Sequence, residues 1–155
     1  MVEWQKICCP IDFSDASHHA MQGAAELTRR FGAELTLLFI YELPGNAPQD
    51  LLFSPSDVLR EVLREYDRRL GEWKARAEHL CGRPVLKHLE VGTPAKEIVR
   101  FVRDGRFDLV VMGTHGRSGL RHAVFGSVAE KVVRQALCPV LTVRPDTPLD
   151  GRASP

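Results

Sequence analysis

The stretch LVVMGTHGRSGLRHAVFGSVAEKVV, residues 109–133, decides how this chain folds. Its first four residues are all apolar, which predicts a parallel strand covered on both faces of a sheet. The strand ends at Gly113. After Gly126, the apolar residues Ala129, Val132 and Ala136 recur at helical spacing. The stretch therefore predicts a strand, a long loop and a helix.

The glycines of this loop, Gly113, Gly116 and Gly126, suit a phosphate-binding loop. Glycine allows positive φ and lets backbone N–H groups approach an anion, and the first turn of a helix offers unpaired N–H donors. We expect Ser127 to cap that helix, in a capping box with Glu130, or to meet a phosphate oxygen with its hydroxyl.

The loop is locally cationic, because it contains Arg117 and Arg121 and no acidic residue between positions 108 and 130. His115 is a candidate ligand contact, with an exposed loop histidine as the alternative. The glycines match neither a Walker A loop nor G-x-G-x-x-G. The alternative is that they only shape the turn, but loops longer than about two to six residues at this place are more often functional.

Composition predicts a single domain at residues 1–145, with a polar tail at 146–155. Of the 155 residues, 44% are hydrophobic and 26% are charged, and no apolar run is long enough to span a membrane. We find no signal peptide and expect a cytoplasmic protein without a membrane partner. The net charge of +1 does not indicate a positively charged surface of the kind that binds nucleic acid, so we expect no nucleic-acid partner.

The four cysteines lack the spacing of a zinc site, and we expect free thiols. Cys8 and Cys138 are expected within strands as small buried groups. The loop also contains Gly116-Arg117-Ser118-Gly119, but Leu120 stands where a G-x-S-x-G nucleophile elbow requires glycine. We therefore predict no catalytic residue.

Strand and helix patterns alternate along the whole chain, which predicts an α/β fold with a parallel sheet and helices on both faces. The strands are expected at residues 6–10, 34–41, 85–90, 109–112 and 139–143. Asp12 follows the first strand, at the carboxyl edge of the sheet where ligands bind in such folds. It is either a ligand contact or a turn aspartate that accepts hydrogen bonds from the backbone.

The glycine spacing resembles that of the universal stress protein family, whose nucleotide-binding members have G-x2-G-x9-G-[ST]. Here the pattern is Gly113, Gly116, Gly126 and Ser127. The segments PIDFSDAS, HGRSGL and CPVLTVRP extend the similarity, which covers residues 7–144. The resemblance implies a five-stranded, Rossmann-like sheet of the adenine nucleotide alpha hydrolase type, with strand order 3-2-1-4-5.

The resemblance also implies an ATP site, with Asp12 at the ribose or at a Mg²⁺ ion and Ile40 at the adenine. The nucleotide-binding residues it implies are Pro10, Ile11, Asp12, Ile40, Met112, Gly113, Thr114, His115, Gly116, Arg117, Gly126, Ser127 and Val128. It further implies a homodimer that pairs through the strand at Val140 to Val143.

The role implied is that of a nucleotide-dependent stress-response regulator. Two alternatives stay open at this point. One is an enzyme that slowly hydrolyses ATP or transfers phosphate, and the other is a dimeric interaction module that needs no nucleotide. The complete set of glycines argues against the second alternative.

Overall fold

The computed structural model describes residues 3–45, 56–115 and 125–145. Strands and helices alternate along it, as predicted. The strands are β1 (Lys6–Ile11), β2 (Glu34–Tyr41), β3 (Val85–Val91), β4 (Leu109–Gly113) and β5 (Val140–Val143). The helices are α1 (Asp15–Phe31), α2 (Asp57–Cys81), α3 (Pro94–Asp104) and α4 (Ser127–Gln135). The segments 116–124 and 146–155 lie outside the described residues, with Gly116, Arg117 and the predicted polar tail.

All five strands are parallel and lie in the order β3-β2-β1-β4-β5, which confirms the predicted order. β1 is central, with Ile7 opposite Leu35 of β2 on one side and opposite Leu109 of β4 on the other. Its last five residues are buried, because both faces of the sheet are covered there.

Two separate cores result from the alternation of side chains along the strands. Ile7, Cys9 and Ile11 pack on one face with residues of α1 and α2. Cys8 packs on the other face with Leu38 and with residues of α3 and α4. Helices therefore cover both faces, as predicted, and each fully buried aliphatic side chain contributes about 1.5–3 kcal/mol to stability.

α1 begins at a serine N-cap and ends at a glycine C-cap, the residue types that are typical of helix ends. The Ser14 hydroxyl accepts a hydrogen bond from the Ser17 N–H at 3.2 Å and caps α1. Gly32 ends α1 with φ 69°, a left-handed conformation that suits glycine. Within the part of the chain described, no helix is both long enough and apolar enough to cross a membrane.

All four cysteines are free thiols. Burial raises the pKa of Cys9 to about 12, and burial is also the main cause that raises the pKa of Cys8. Both thiols are thus protonated at neutral pH and behave as small apolar groups. Cys138 differs from expectation: it precedes β5 rather than lying in it, and it is only partly buried.

A close contact between α1 and β4 sets the distance between the first helix and the sheet. A Cβ atom on Gly113 would lie 2.8 Å from the Ala16 Cβ and 2.9 Å from the Ala16 carbonyl carbon. Real Cβ atoms do not approach so closely, so only glycine fits at this end of β4. This contact holds the start of α1 beside the last residue of β4.

We expect Gly113→Ala to lower the free energy of unfolding by about 1–3 kcal/mol, because the added methyl group overpacks this contact. Gly71→Ala is the matched control. Gly71 lies inside α2, and its added Cβ would have only the Lys87 Nζ within 4 Å, at 3.9 Å. The control should stabilise the protein by up to about 1 kcal/mol. Urea unfolding measures both, and an unchanged stability of Gly113→Ala would contradict the packing argument.

Thr28 provides a second test of the core, because its hydroxyl is buried in α1 and has no hydrogen-bond partner within the described residues. An unpaired buried hydroxyl costs about 1–3 kcal/mol. Thr28→Val replaces it with a methyl group of similar size. We expect the free energy of unfolding to rise by about 1 kcal/mol, with an unchanged slope against urea concentration. A lower free energy of unfolding in Thr28→Val would contradict the conclusion that the Thr28 hydroxyl is buried without a hydrogen-bond partner.

Candidate functional site

A cavity of about 440 Å³ lies at the carboxyl ends of β1, β2 and β4. The chain leaves β1 toward α1 on one face of the sheet and leaves β4 toward α4 on the other, which opens a crevice between the two strands. The cavity brings together every predicted site residue in the described chain: Pro10, Ile11, Asp12, Ile40, Met112, Gly113, Thr114, His115, Gly126, Ser127 and Val128.

Asp12 lies in a tight turn between β1 and α1. Its Oδ1 atom accepts hydrogen bonds from the Ser14 N–H at 3.0 Å and from the Ser17 hydroxyl at 2.6 Å. The Asp12 N–H donates to the Ser17 Oγ at 2.9 Å. The two interpretations of Asp12 are thus compatible, because the carboxylate organises the turn and also lines the cavity.

Phe13 occupies the centre of this turn with φ 63°, a left-handed conformation that is unfavourable for a bulky residue. Such strain costs about 1–3 kcal/mol and persists only where the surroundings enforce it. The Phe13 ring packs 4.8 Å from Phe39 and 5.4 Å from Trp73, and the Arg69 guanidinium lies 4.3 Å from its centroid. Residues of β2 and α2 therefore hold the turn that carries Asp12.

The start of α4 forms another wall. Gly126 is the N-cap and Ser127 is the first helical residue, so the prediction that Ser127 caps the helix in a capping box is wrong. The Ser127 side chain is exposed and makes no capping bond, because its backbone is already helical. Its hydroxyl is therefore not used by a cap.

The Gly126 amide is used by the fold rather than directed at the cavity. It donates to the Thr114 carbonyl at 2.6 Å, and the Thr114 N–H donates in turn to the Val143 carbonyl of β5 at 3.1 Å. The amides of the first turn of α4, starting at Ser127, have no acceptor inside the helix. These amides, with the positive end of the helix dipole, are the donors that this wall offers to an anion.

Neither Gly113 nor Gly126, the two loop glycines that the structure describes, uses the positive φ that glycine allows. Gly126 has φ −71°, and the glycines with positive φ among the described residues are Gly32, Gly82 and Gly92. Gly113 is required by its approach to α1, as shown above. A sequence pattern cannot show whether a glycine is needed for positive φ or for close packing, since the residue is the same in both cases.

The wall on the α3 and α4 side of the sheet is apolar. Ile40 and Met112 are 7% and 5% exposed and pack with Leu38 and Ile98. The carbonyl of Tyr41 accepts a hydrogen bond from the Gly92 N–H at 3.0 Å, which continues the pairing of β2 with β3. This wall therefore presents mainly side-chain surface, suited to a flat apolar or aromatic group.

Sequence reasoning missed several residues of the cavity. Ser17 lies one helical turn after Ser14, a spacing that was available as a signal. Pro94 and Ile98 come from the start of α3, and Tyr66 comes from α2. Only packing brings these residues to the site, because their sequence patterns predict a helix but do not show which end of the sheet it reaches.

Among the described residues that line the cavity, few carry a charge. Asp12 and Glu42 supply carboxylates, and the His115 Nδ1 lies 3.0 Å from the Thr114 hydroxyl. Among the residues whose positions are described, no three His, Cys, Asp or Glu side chains are grouped to hold a metal ion. A cation at Asp12 would therefore need further ligands from outside the described residues, such as a bound molecule or water.

The comparisons with known proteins agree with this architecture. The model of the universal stress protein family matches residues 3–144. A universal stress protein of Methanocaldococcus jannaschii is 35% identical over 151 residues, which cover 91% of this chain and 82% of the relative.

Two solved structures are similar in fold. Universal stress protein UspA from Lactobacillus plantarum has a TM-score of 0.82 at 22% identity and covers 93% of this chain and 100% of its own. The universal stress protein from Archaeoglobus fulgidus in complex with dAMP has a TM-score of 0.66 at 25% identity, covering 91% of this chain and 98% of its own. With a family match over nearly the whole length and the strand order that the family resemblance implies, the chain belongs to the universal stress protein family.

Proposed function

We propose that this protein binds an adenine nucleotide, ATP, in the cavity at the carboxyl edge of the sheet and acts as a nucleotide-dependent regulator. The observation that carries the proposal is the cavity itself, in which an apolar wall at Ile40 and Met112 faces the first turn of α4. Its volume of about 440 Å³ falls in the range of ligand sites, about 300–1,000 Å³. The dAMP complex of the Archaeoglobus relative adds support for this ligand class.

In this proposal the adenine packs against Ile40 and Met112, with Pro10 and Ile11 beside it. Asp12 meets the ribose, or a Mg²⁺ ion that the phosphates also bind. The phosphates lie along the first turn of α4, where the dipole favours negative charge. The family resemblance assigns the remaining nucleotide contacts to Gly113, Thr114, His115, Gly116, Arg117, Gly126, Ser127 and Val128. Of these, Thr114 and Gly126 already use their backbone N–H groups within the fold.

Binding rather than rapid turnover is the function that Asp12 supports best. Its Oδ1 atom already accepts two hydrogen bonds from the turn, at 2.6 and 3.0 Å. Such bonds fix the position of the carboxylate, which suits a group that orients a ligand.

We expect calorimetry to detect ATP binding by the wild-type protein, and Ser127→Asp to weaken it about tenfold or more. The new carboxylate suits the N-terminus of α4 but repels the phosphates at close range. Ser56→Asp is the matched control, since it adds the same charge at the N-cap of α2, away from the cavity. It should bind ATP like the wild type.

Two results would contradict this proposal. If the wild-type protein did not bind ATP at millimolar concentration, the proposal of an ATP site would be wrong. If Ser127→Asp bound ATP as tightly as the wild type, the phosphates would not lie at the start of α4, even if the nucleotide bound elsewhere. Chromatography of the nucleotide recovered after hours of incubation tests turnover, and we expect intact ATP.

We also propose that two copies of the chain pair through β5. This strand lies at one edge of the sheet, where one side of its backbone has no neighbouring strand in the described chain. Leu141 on β5 is 42% exposed, and Val133 and Leu137 nearby are 44% and 82% exposed. An exposed edge with apolar side chains suits pairing about a twofold axis.

Sedimentation equilibrium should show a wild-type dimer at micromolar concentration. Leu141→Lys should shift the protein toward monomer, because an edge lysine opposes pairing between strands. Leu86→Lys is the control on β3, the opposite edge, where Leu86 is 50% exposed. It should remain dimeric. A monomeric wild type, or a dimer lost only with Leu86→Lys, would contradict pairing through β5.

A further inference from the structure

The cavity extends onto both faces of the sheet at the end of β2. Side chains alternate along this strand, so Ile40 packs in the core under α3 and α4, whereas Phe39 and Tyr41 pack with the core under α1 and α2. All three residues line the cavity. The adenine of the proposed site packs on the first face, at Ile40 and Met112. We call the part of the cavity on the second face, lined by Phe39, Tyr41 and Tyr66, the aromatic arm.

Packing holds the rings of the aromatic arm in place. The centroid of the Tyr66 ring lies 4.8 Å from that of Phe39, with an angle of 25° between the ring planes. It lies 5.4 Å from the Tyr41 ring and 6.0 Å from the Phe13 ring. Tyr66 is therefore fixed by three other rings, which lowers the entropy that a ligand must remove. Tyr41 and Tyr66 are only partly buried and both line the cavity, so both offer ring surface to a ligand.

The charges beside the aromatic arm indicate what kind of group fits there. Glu42 follows Tyr41 at the end of β2 and also lines the cavity. The Arg69 guanidinium stacks on Phe13, 4.3 Å from the ring centroid, and Arg69 is not among the described residues that line the cavity. A phosphate would be repelled by the Glu42 carboxylate, and the faces of aromatic rings are also partly negative. An uncharged flat ring, in contrast, stacks favourably on tyrosine.

The aromatic arm and the start of α4 belong to the same cavity. In the sheet, β1 separates β2 from β4, so the two regions lie on either side of the end of one strand. Two strands that flank a third are about 10 Å apart. A chain of phosphates that begins at the first turn of α4 can therefore lead to a second ring in the aromatic arm through the cavity itself.

We infer that the aromatic arm binds a second nucleobase, so that the site binds a dinucleoside polyphosphate, two nucleosides joined by a chain of phosphates, more tightly than a mononucleotide. This inference rests on the proposed nucleotide site and deepens it by naming the class of ligand. The first base packs at Ile40 and Met112, and the phosphates lie at the start of α4. The second base stacks on Tyr41 and Tyr66.

Calorimetry with diadenosine tetraphosphate and adenosine tetraphosphate tests the inference, with ATP measured alongside. The two tetraphosphates have the same number of phosphates and differ in the second nucleoside. The wild-type protein should bind diadenosine tetraphosphate about tenfold more tightly or better, the effect of stacking one base on an aromatic side chain. The ratio of the two affinities is the readout, because damage to the fold or to the shared part of the site weakens both ligands alike.

Tyr66→Leu and Tyr41→Leu should each lower this ratio toward the value expected from the two equivalent ends of the diadenosine compound alone. Tyr66→Phe retains the ring and should retain the wild-type ratio. Phe31→Leu is the matched control, because it removes a 45% exposed ring that packs on Trp4 and does not line the cavity. It should also keep the ratio. Tyr41→Leu decides the test if Tyr66→Leu does not fold.

Equal affinities of the wild type for the two tetraphosphates would overturn the inference, and the proposed function would stand as long as ATP binds. A wild-type ratio retained in both Tyr66→Leu and Tyr41→Leu would overturn it too, because the second base would then bind outside the aromatic arm. Failure of the wild type to bind any of the three nucleotides would instead overturn the proposed function.

Discussion

The contact between Ala16 of α1 and Gly113 of β4 is the constraint on which the rest of the site depends. The space between them excludes even a methyl group, so the first turn of α1 rests on the end of β4. The turn that carries Asp12 and the chain that leaves β4 are thereby held on either side of one crevice. A wider separation would leave the same residues in the sequence without a common cavity.

Strain at the site is balanced by packing outside it. Phe13 adopts a conformation that costs about 1–3 kcal/mol in isolation. Its ring, however, joins an aromatic group that includes Phe39, Tyr66 and Trp73, and aromatic pairs contribute about 0.5–1.5 kcal/mol each beyond their buried area. α2, which contributes Tyr66 to the cavity wall, thus supports a turn that lies more than 40 residues earlier in the chain.

The two described ends of the segment between β4 and α4 are hydrogen-bonded to each other and to the edge of the sheet. The Gly126 amide bonds to Thr114, and Thr114 bonds to Val143 at the end of β5. Because these amides serve the fold, the donors that the described start of α4 offers to an anion are those of the helix itself, from Ser127 onward. The proposed phosphate wall and the proposed dimer edge are therefore parts of one hydrogen-bonded unit.

The sequence by itself determined the order of the elements, because buried parallel strands and amphipathic helices have different apolar periods. The family resemblance supplied the strand order, and the glycine and serine positions marked the region where α4 begins. Only the tertiary structure decided that Gly126 rather than Ser127 is the cap, since a cap depends on backbone angles that residue type favours but does not set. Only the structure could also show that Gly113 is needed for the close approach of Ala16, and that Tyr66 reaches the cavity, because these contacts join segments whose separation along the chain carries no signal.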